Sequence, residues 1–131
     1  MPDALTLTVR EVSTPTPTTR RVVLDLGDVP FTYAAGQAAS IGLHGQRDRR
    51  PYSGGSLGRH LDAIAPGARV DFEGPFGGFV LPAPLPDAPL LFIAGGTGLA
   101  PLRAMAREAR ALGHAGPRHL LYSVRHEDDV A

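Results

Sequence analysis

Leu90-Leu91-Phe92-Ile93-Ala94-Gly95-Gly96-Thr97-Gly98-Leu99-Ala100-Pro101 decides the fold of this chain. Five apolar residues run without interruption, glycines follow at once, and an amphipathic pattern begins at Leu99. The run predicts a parallel strand buried on both faces. Downstream, Leu99, Leu102, Met105, Ala106, Ala109 and Leu112 fall on one helical face, with Arg103, Arg107, Glu108 and Arg110 on the other. Gly113 is placed to end that helix, and Leu120-Leu121-Tyr122-Ser123-Val124 predicts a second strand. Strand, glycine turn, helix and strand together make a βαβ unit. Glycines at such a junction let a ligand approach the backbone, and the helix N-terminus offers unpaired N–H groups to a pyrophosphate. A tight strand-to-helix turn alone would also account for them, since the motif is neither the full dinucleotide fingerprint nor a phosphate loop ending in Lys and Ser or Thr.

Upstream, the pattern is that of strands. Leu5, Leu7 and Val9 alternate with Thr6, Thr8 and Arg10, and Thr14-Pro15-Thr16-Pro17-Thr18 is expected to break the run before Val22–Leu26 resumes it as an antiparallel partner. Short apolar pieces at Ala38–Leu43 and Pro51–Ser53 follow, and Val70 and Phe72 alternate with Arg69, Asp71 and Glu73. These short strands with Gly and Pro turns suggest a small barrel. One helix interrupts them: Ser56 can cap it, Leu57, Leu61 and Ile64 share a face, and Pro66-Gly67 ends it. Pro82, Pro84, Pro86 and Pro89 form a stiff connector. The expected organisation is therefore a barrel over residues 1–84 and the first part of an α/β domain over 85–131.

Composition narrows the function. The chain has 131 residues, a hydrophobic share of 43% and no formal net charge, as a packed protein requires. The short basic cluster Arg47-Asp48-Arg49-Arg50 suits one small anion better than nucleic acid, which is not expected as a partner. All thirteen basic residues are Arg, so a single Arg carries little information. Cysteine is absent, which excludes thiolate metal sites and Cys-ligated clusters within this chain. The five histidines show no metal-ligand spacing. No secretory signal or stretch long enough to span a bilayer is visible, so a cytoplasmic location is the expectation.

Arg50-Pro51-Tyr52-Ser53, the Gly54–Gly58 turn and short helix, Glu73-Gly74-Pro75-Phe76-Gly77 and Gly95-Gly96-Thr97-Gly98-x-x-Pro101 occur in this order. The set resembles the ferredoxin-NADP reductase superfamily along nearly the whole chain. The resemblance implies a small antiparallel Greek-key flavin-binding barrel with one short helix, followed by an incomplete βαβ nucleotide domain. It also implies the cofactors: FAD, with FMN possible, and NAD(P)H as co-substrate. Arg50 is similar to the family residue that meets the flavin phosphate, Tyr52 to the one flanking the isoalloxazine ring and Ser53 to the hydroxyl near flavin N5; Tyr52 and Ser53 are the implied catalytic pair. Gly55, Ser56, Leu57 and Gly58 resemble the turn that holds the flavin pyrophosphate. Gly96, Thr97, Gly98 and Pro101 resemble the nicotinamide nucleotide loop, and Ser123 and Arg125 fall where family members contact the adenosine phosphate.

The implied reaction passes a hydride from NAD(P)H to flavin, then electrons to a separate partner: a ferredoxin, an oxygenase component or a haem protein. Ser53 runs directly into Gly54-Gly55, Gly58 stands where the family has a hydroxyl, and the chain stops at Ala131. An internally shortened, C-terminally truncated member is therefore expected. Such a unit would leave Leu91, Ile93, Leu121 or Val124 exposed and open to self-association through the incomplete sheet. Two other readings compete. A non-catalytic family fragment or interaction module would keep the motifs without holding flavin. Gly54-Gly55-Ser56-Leu57-Gly58 also matches a serine-hydrolase elbow, although Arg49–Ser53 is not the buried apolar strand that an elbow follows.

Overall fold

The computed structural model describes residues 4–45 and 64–130. The segment Pro51–Ser53, most of the helix expected from Ser56, and the flavin-turn residues lie outside them. Two compact units are present: Met1–Phe31 with Ala39–Pro75, and Thr32–Ala38 with Phe76–Ala131.

The first unit is a four-stranded antiparallel sheet in the order β2-β1-β4-β3. Its strands are β1 (Leu5–Thr16), β2 (Thr19–Asp25), β3 (Ala38–Leu43) and β4 (Arg69–Phe76). The expected break at Thr14–Thr18 is smaller than the sequence suggested. β1 continues through Pro15 to Thr16, which pairs with Thr19 across Pro17-Thr18. Pro15 falls at the irregularity between Ser13 and Thr16 in the β1–β2 register, a place where a strand accepts proline. Leu7, Val9, Ile64 and Val70 form the buried centre, ringed by Leu5, Val12, Val22, Leu24, Ile41 and Phe72. Asp71, which the alternation assigns to the polar face, is buried instead. Thr6 Oγ1 donates to its Oδ1 at 3.0 Å, and His44 Nδ1 lies 2.8 Å from the same oxygen. Hydrogen bonds of this kind make a buried carboxylate tolerable.

The second unit is the βαβ element: β5 (Leu90–Gly95), a 3-10 turn at Gly96–Gly98, α1 (Leu99–Ala111) and β6 (Arg118–Ser123). β5 and β6 pair in parallel, from Leu90 opposite Arg118 to Gly95 opposite Ser123. Phe92, Ala94, Leu99, Leu102 and Met105 form its core. Burial of β5 is one-sided rather than two-sided. Phe92 and Ala94 lie under α1, while Leu91 and Ile93 on the other face are 64% and 66% exposed. The helix face also ends earlier than its periodicity implies, because Leu112 is 63% exposed. Gly113, at φ +79, ends the helix as expected. Its N–H donates to Arg110 O at 3.1 Å and the His114 N–H to Ala109 O at 3.0 Å, the two bonds of a Schellman cap. Leu112 occupies the last position before that reversal, where the chain turns away from the core.

The segment Thr32–Ala38 belongs to this unit. The Gln37 side-chain amide donates to Gly77 O at 3.0 Å, and its Oε1 accepts from the Ala34 N–H at 2.8 Å. Gly36, at φ +102, lies so close to Phe79 O and Met105 Cε that no side chain fits there. Among the described residues, no helix is long and apolar enough to cross a membrane.

Candidate nucleotide site at the glycine turn

The parallel pairing determines where the site residues meet. Because Gly95 is opposite Ser123, the turn leaving β5 and the turn leaving β6 emerge side by side at the C-terminal edge of the two strands. Ligands of open α/β sheets bind at that edge. Of the candidate residues, Gly96, Thr97, Gly98, Pro101, Ser123 and Arg125 are therefore brought to one edge. Arg50, Tyr52, Ser53, Gly55, Ser56, Leu57 and Gly58 lie outside the described residues, as does the hydrolase-like elbow.

The glycine turn separates two explanations of its composition. Gly96 has φ +53, a conformation that side chains rarely adopt, so the turn itself requires glycine there. Gly95 (φ −128, ψ 131) and Gly98 (φ −61, ψ −13) have torsion angles open to any residue. Among the described residues, a Cβ added to either would meet no atom within 4 Å. Neither conformation nor packing requires glycine at these two positions, and the backbone there is left open to a ligand.

The electrostatics fit an anion. α1 starts without a side-chain cap, and its first turn contains no acidic residue. The Leu99 N–H is taken up by Gly96 O and Thr97 O of the 3-10 turn that runs into the helix, so it is at the start of that turn that the backbone dipoles present their partial positive charge. Pro101 in that first turn loses an N–H that would be unpaired anyway. Leu99, buried in the core, anchors the turn, while Gly96, Thr97, Gly98 and Ala100 are exposed. On the β6 side, Ser123 and Arg125 are exposed, and Arg125 forms no salt bridge among the described residues. The chain beyond is pinned by the Tyr122 hydroxyl, which donates to Asp129 O at 3.1 Å. The edge thus offers backbone N–H groups, two hydroxyls and one guanidinium to a phosphorylated ligand.

Sequence reasoning missed the Thr32–Ala38 support beneath Met105 and the hydrogen bonds by which the exposed Thr6 and His44 hold the buried carboxylate of Asp71. No periodicity marks the first. Asp71 occupies a nominally outward position, so only its partners from distant sequence reveal it.

Residues 92–131 match the oxidoreductase NAD-binding domain family. The reductase subunit of an aromatic O-demethylase from an Amycolatopsis strain is 39% identical over 90% of this chain and 42% of that protein. Ferredoxin-NADP reductase B of Sorangium cellulosum is 39% identical over 59% of this chain and 31% of its own length. Among solved structures, the Amycolatopsis cytochrome P450 reductase GcoB superposes with a TM-score of 0.80 at 35% identity, covering 98% of this chain and 45% of that one. The ferredoxin-NADP+ reductase of Plasmodium falciparum shares the fold, with a TM-score of 0.81 at 16% identity over 98% of this chain and 61% of that one. The chain spans less than half the length of the curated relatives it matches.

Proposed function

The chain belongs to the ferredoxin-NADP reductase superfamily, and from that premise we propose that it is an NAD(P)H-dependent flavin oxidoreductase. The observation that carries the reading is the pair of glycines, Gly95 and Gly98, which neither their torsion angles nor the surrounding described residues require. The nicotinamide nucleotide would lie along Gly96-Thr97-Gly98, with its pyrophosphate facing the backbone of that turn. Ser123 and Arg125 would hold the adenosine end, where a guanidinium pairs well with phosphate. We assign residues 1–84 to flavin binding and 85–131 to nucleotide binding. In that assignment Arg50 and the turn Gly55, Ser56, Leu57 and Gly58 hold the flavin phosphates, Tyr52 covers the ring and Ser53 offers its hydroxyl to N5. FAD, the flavin we assign over FMN, would supply the step between two-electron hydride chemistry and one-electron delivery. The acceptor we assign is a separate iron-sulfur or haem protein, a reading supported by the oxygenase-system and cytochrome P450 reductases among its relatives.

Reconstitution tests the flavin half. The purified chain is incubated with FAD or FMN, freed of unbound flavin by gel filtration and scanned in the visible. Retention of FAD is expected, with weaker retention by Arg50→Ala. A colourless chain in both cases would overturn the enzyme reading and leave a family relative without flavin chemistry.

A further inference from the structure

Side chains alternate along a strand, so Tyr122 and Ser123 leave opposite faces of β6. Tyr122, the register partner of Ala94, packs against the core of Phe92, Ala94, Leu99, Leu102 and Met105. Its hydroxyl donates to the carbonyl oxygen of Asp129 at 3.1 Å, seven residues further on. Between those two points lie Ser123 and Arg125, whose exposed side chains are assigned to the adenosine end of the nucleotide. The far end of the segment is itself ordered. The Asp129 N–H donates to His126 O at 3.0 Å and the Val130 N–H to Glu127 O at 3.2 Å. The phenol thus closes a loop onto a turn that already has a fixed shape.

Ring and hydroxyl make separable contributions. The ring fills space beside the core, whereas the hydroxyl makes one bond that the packing itself does not need. Closing the loop removes conformational freedom from Ser123 and Arg125, so the ordering precedes the ligand instead of being charged against its binding. The same core contains Leu99, which anchors the glycine turn, so both strand-end turns take their position from one packed cluster. We propose that Tyr122 is a positioning residue for the nucleotide: through the Asp129 carbonyl, its hydroxyl fixes the loop that presents Ser123 and Arg125. This role rests on the nucleotide reading above and adds to it a residue that acts through others.

Tyr122→Phe keeps the ring and removes the hydroxyl. The probes are ADP-ribose and its 2′-phosphate, which carry the adenosine end without nicotinamide, titrated calorimetrically into the whole chain; the tighter of the two serves for the variants. Tyr122→Phe should bind it about three- to tenfold more weakly, with an unchanged circular dichroism spectrum. Amide hydrogen exchange should quicken at Asp129 and Val130 but not in β5. In an Arg125→Ala background the effect of Tyr122→Phe should shrink by about half or more, because the loop no longer has a guanidinium to present, whereas a general loss of structure would persist there. Equal affinity in Tyr122→Phe, unchanged exchange at Asp129 and Val130, or an undiminished effect beside Arg125→Ala would each overturn the role of Tyr122 and leave the nucleotide site standing. Failure of the unaltered chain to bind either probe would overturn the nucleotide reading, and the role of Tyr122 with it.

Discussion

Gly98 has the torsion angles of a helical residue and open space where a Cβ would stand. Gly98→Ala should therefore leave the fold intact and raise stability by about 0.4–1 kcal/mol through reduced freedom of the unfolded chain. The same methyl group would occupy the space assigned to the nucleotide. A melt that rises while NAD(P)H affinity falls in calorimetric titration is the expected pair of outcomes. Unchanged affinity would count against a ligand at the turn. Gly36 behaves oppositely, because its positive φ and its approach to Phe79 O and Met105 exclude a side chain. Gly36→Ala should cost about 2–3 kcal/mol, read by chemical denaturation. The two positions also differ in legibility. Gly98 stands in a motif that sequence alone places at a strand-helix junction. Gly36 acquires its meaning only from Phe79 and Met105, more than forty residues away, and nothing local announces it.

At the scale of elements, the helix periodicity places Met105 and Leu112 on one face, yet the structure separates them. Met105 is 3% exposed within the core, whereas Leu112 precedes the Gly113 reversal and points away. Met105→Ala should cost about 2–5 kcal/mol by opening a cavity, and Leu112→Ala no more than about 0.5 kcal/mol. Comparable losses in thermal melts of the two variants would contradict this packing. β5 teaches a related lesson. An unbroken apolar run identifies a parallel strand because such strands are normally covered on both sides. The pattern records what the strand is suited to contact, and α1 covers one face only. β1 illustrates the converse: prolines suggest a break, but Pro15 falls at an irregularity of the β1–β2 register and the strand runs on to Thr16.

For the molecule as a whole, the order of a strand-rich half and a βαβ unit was legible, because hydrophobic period and glycine placement are local properties. Its division by contacts was not. The second unit recruits Thr32–Ala38 and begins at Phe76, ahead of the proline-rich stretch, through contacts between distant segments. The face of β5–β6 opposite α1 exposes Leu91, Ile93 and Leu121, each above 60%. A shared apolar face of this kind favours association. Ile93→Glu/Leu121→Glu should shift sedimentation toward monomer without lowering the melting temperature, and an unchanged distribution would remove that face as the contact. The central claim is hydride transfer from NAD(P)H to flavin on this chain, and its most direct test is anaerobic mixing of the FAD-loaded protein with NADH or NADPH while visible absorbance is followed. Bleaching is expected, slower when the transferred hydrogen at nicotinamide C4 is deuterium and when Gly98 is Ala. Retained flavin that stays oxidised with both nucleotides would contradict it.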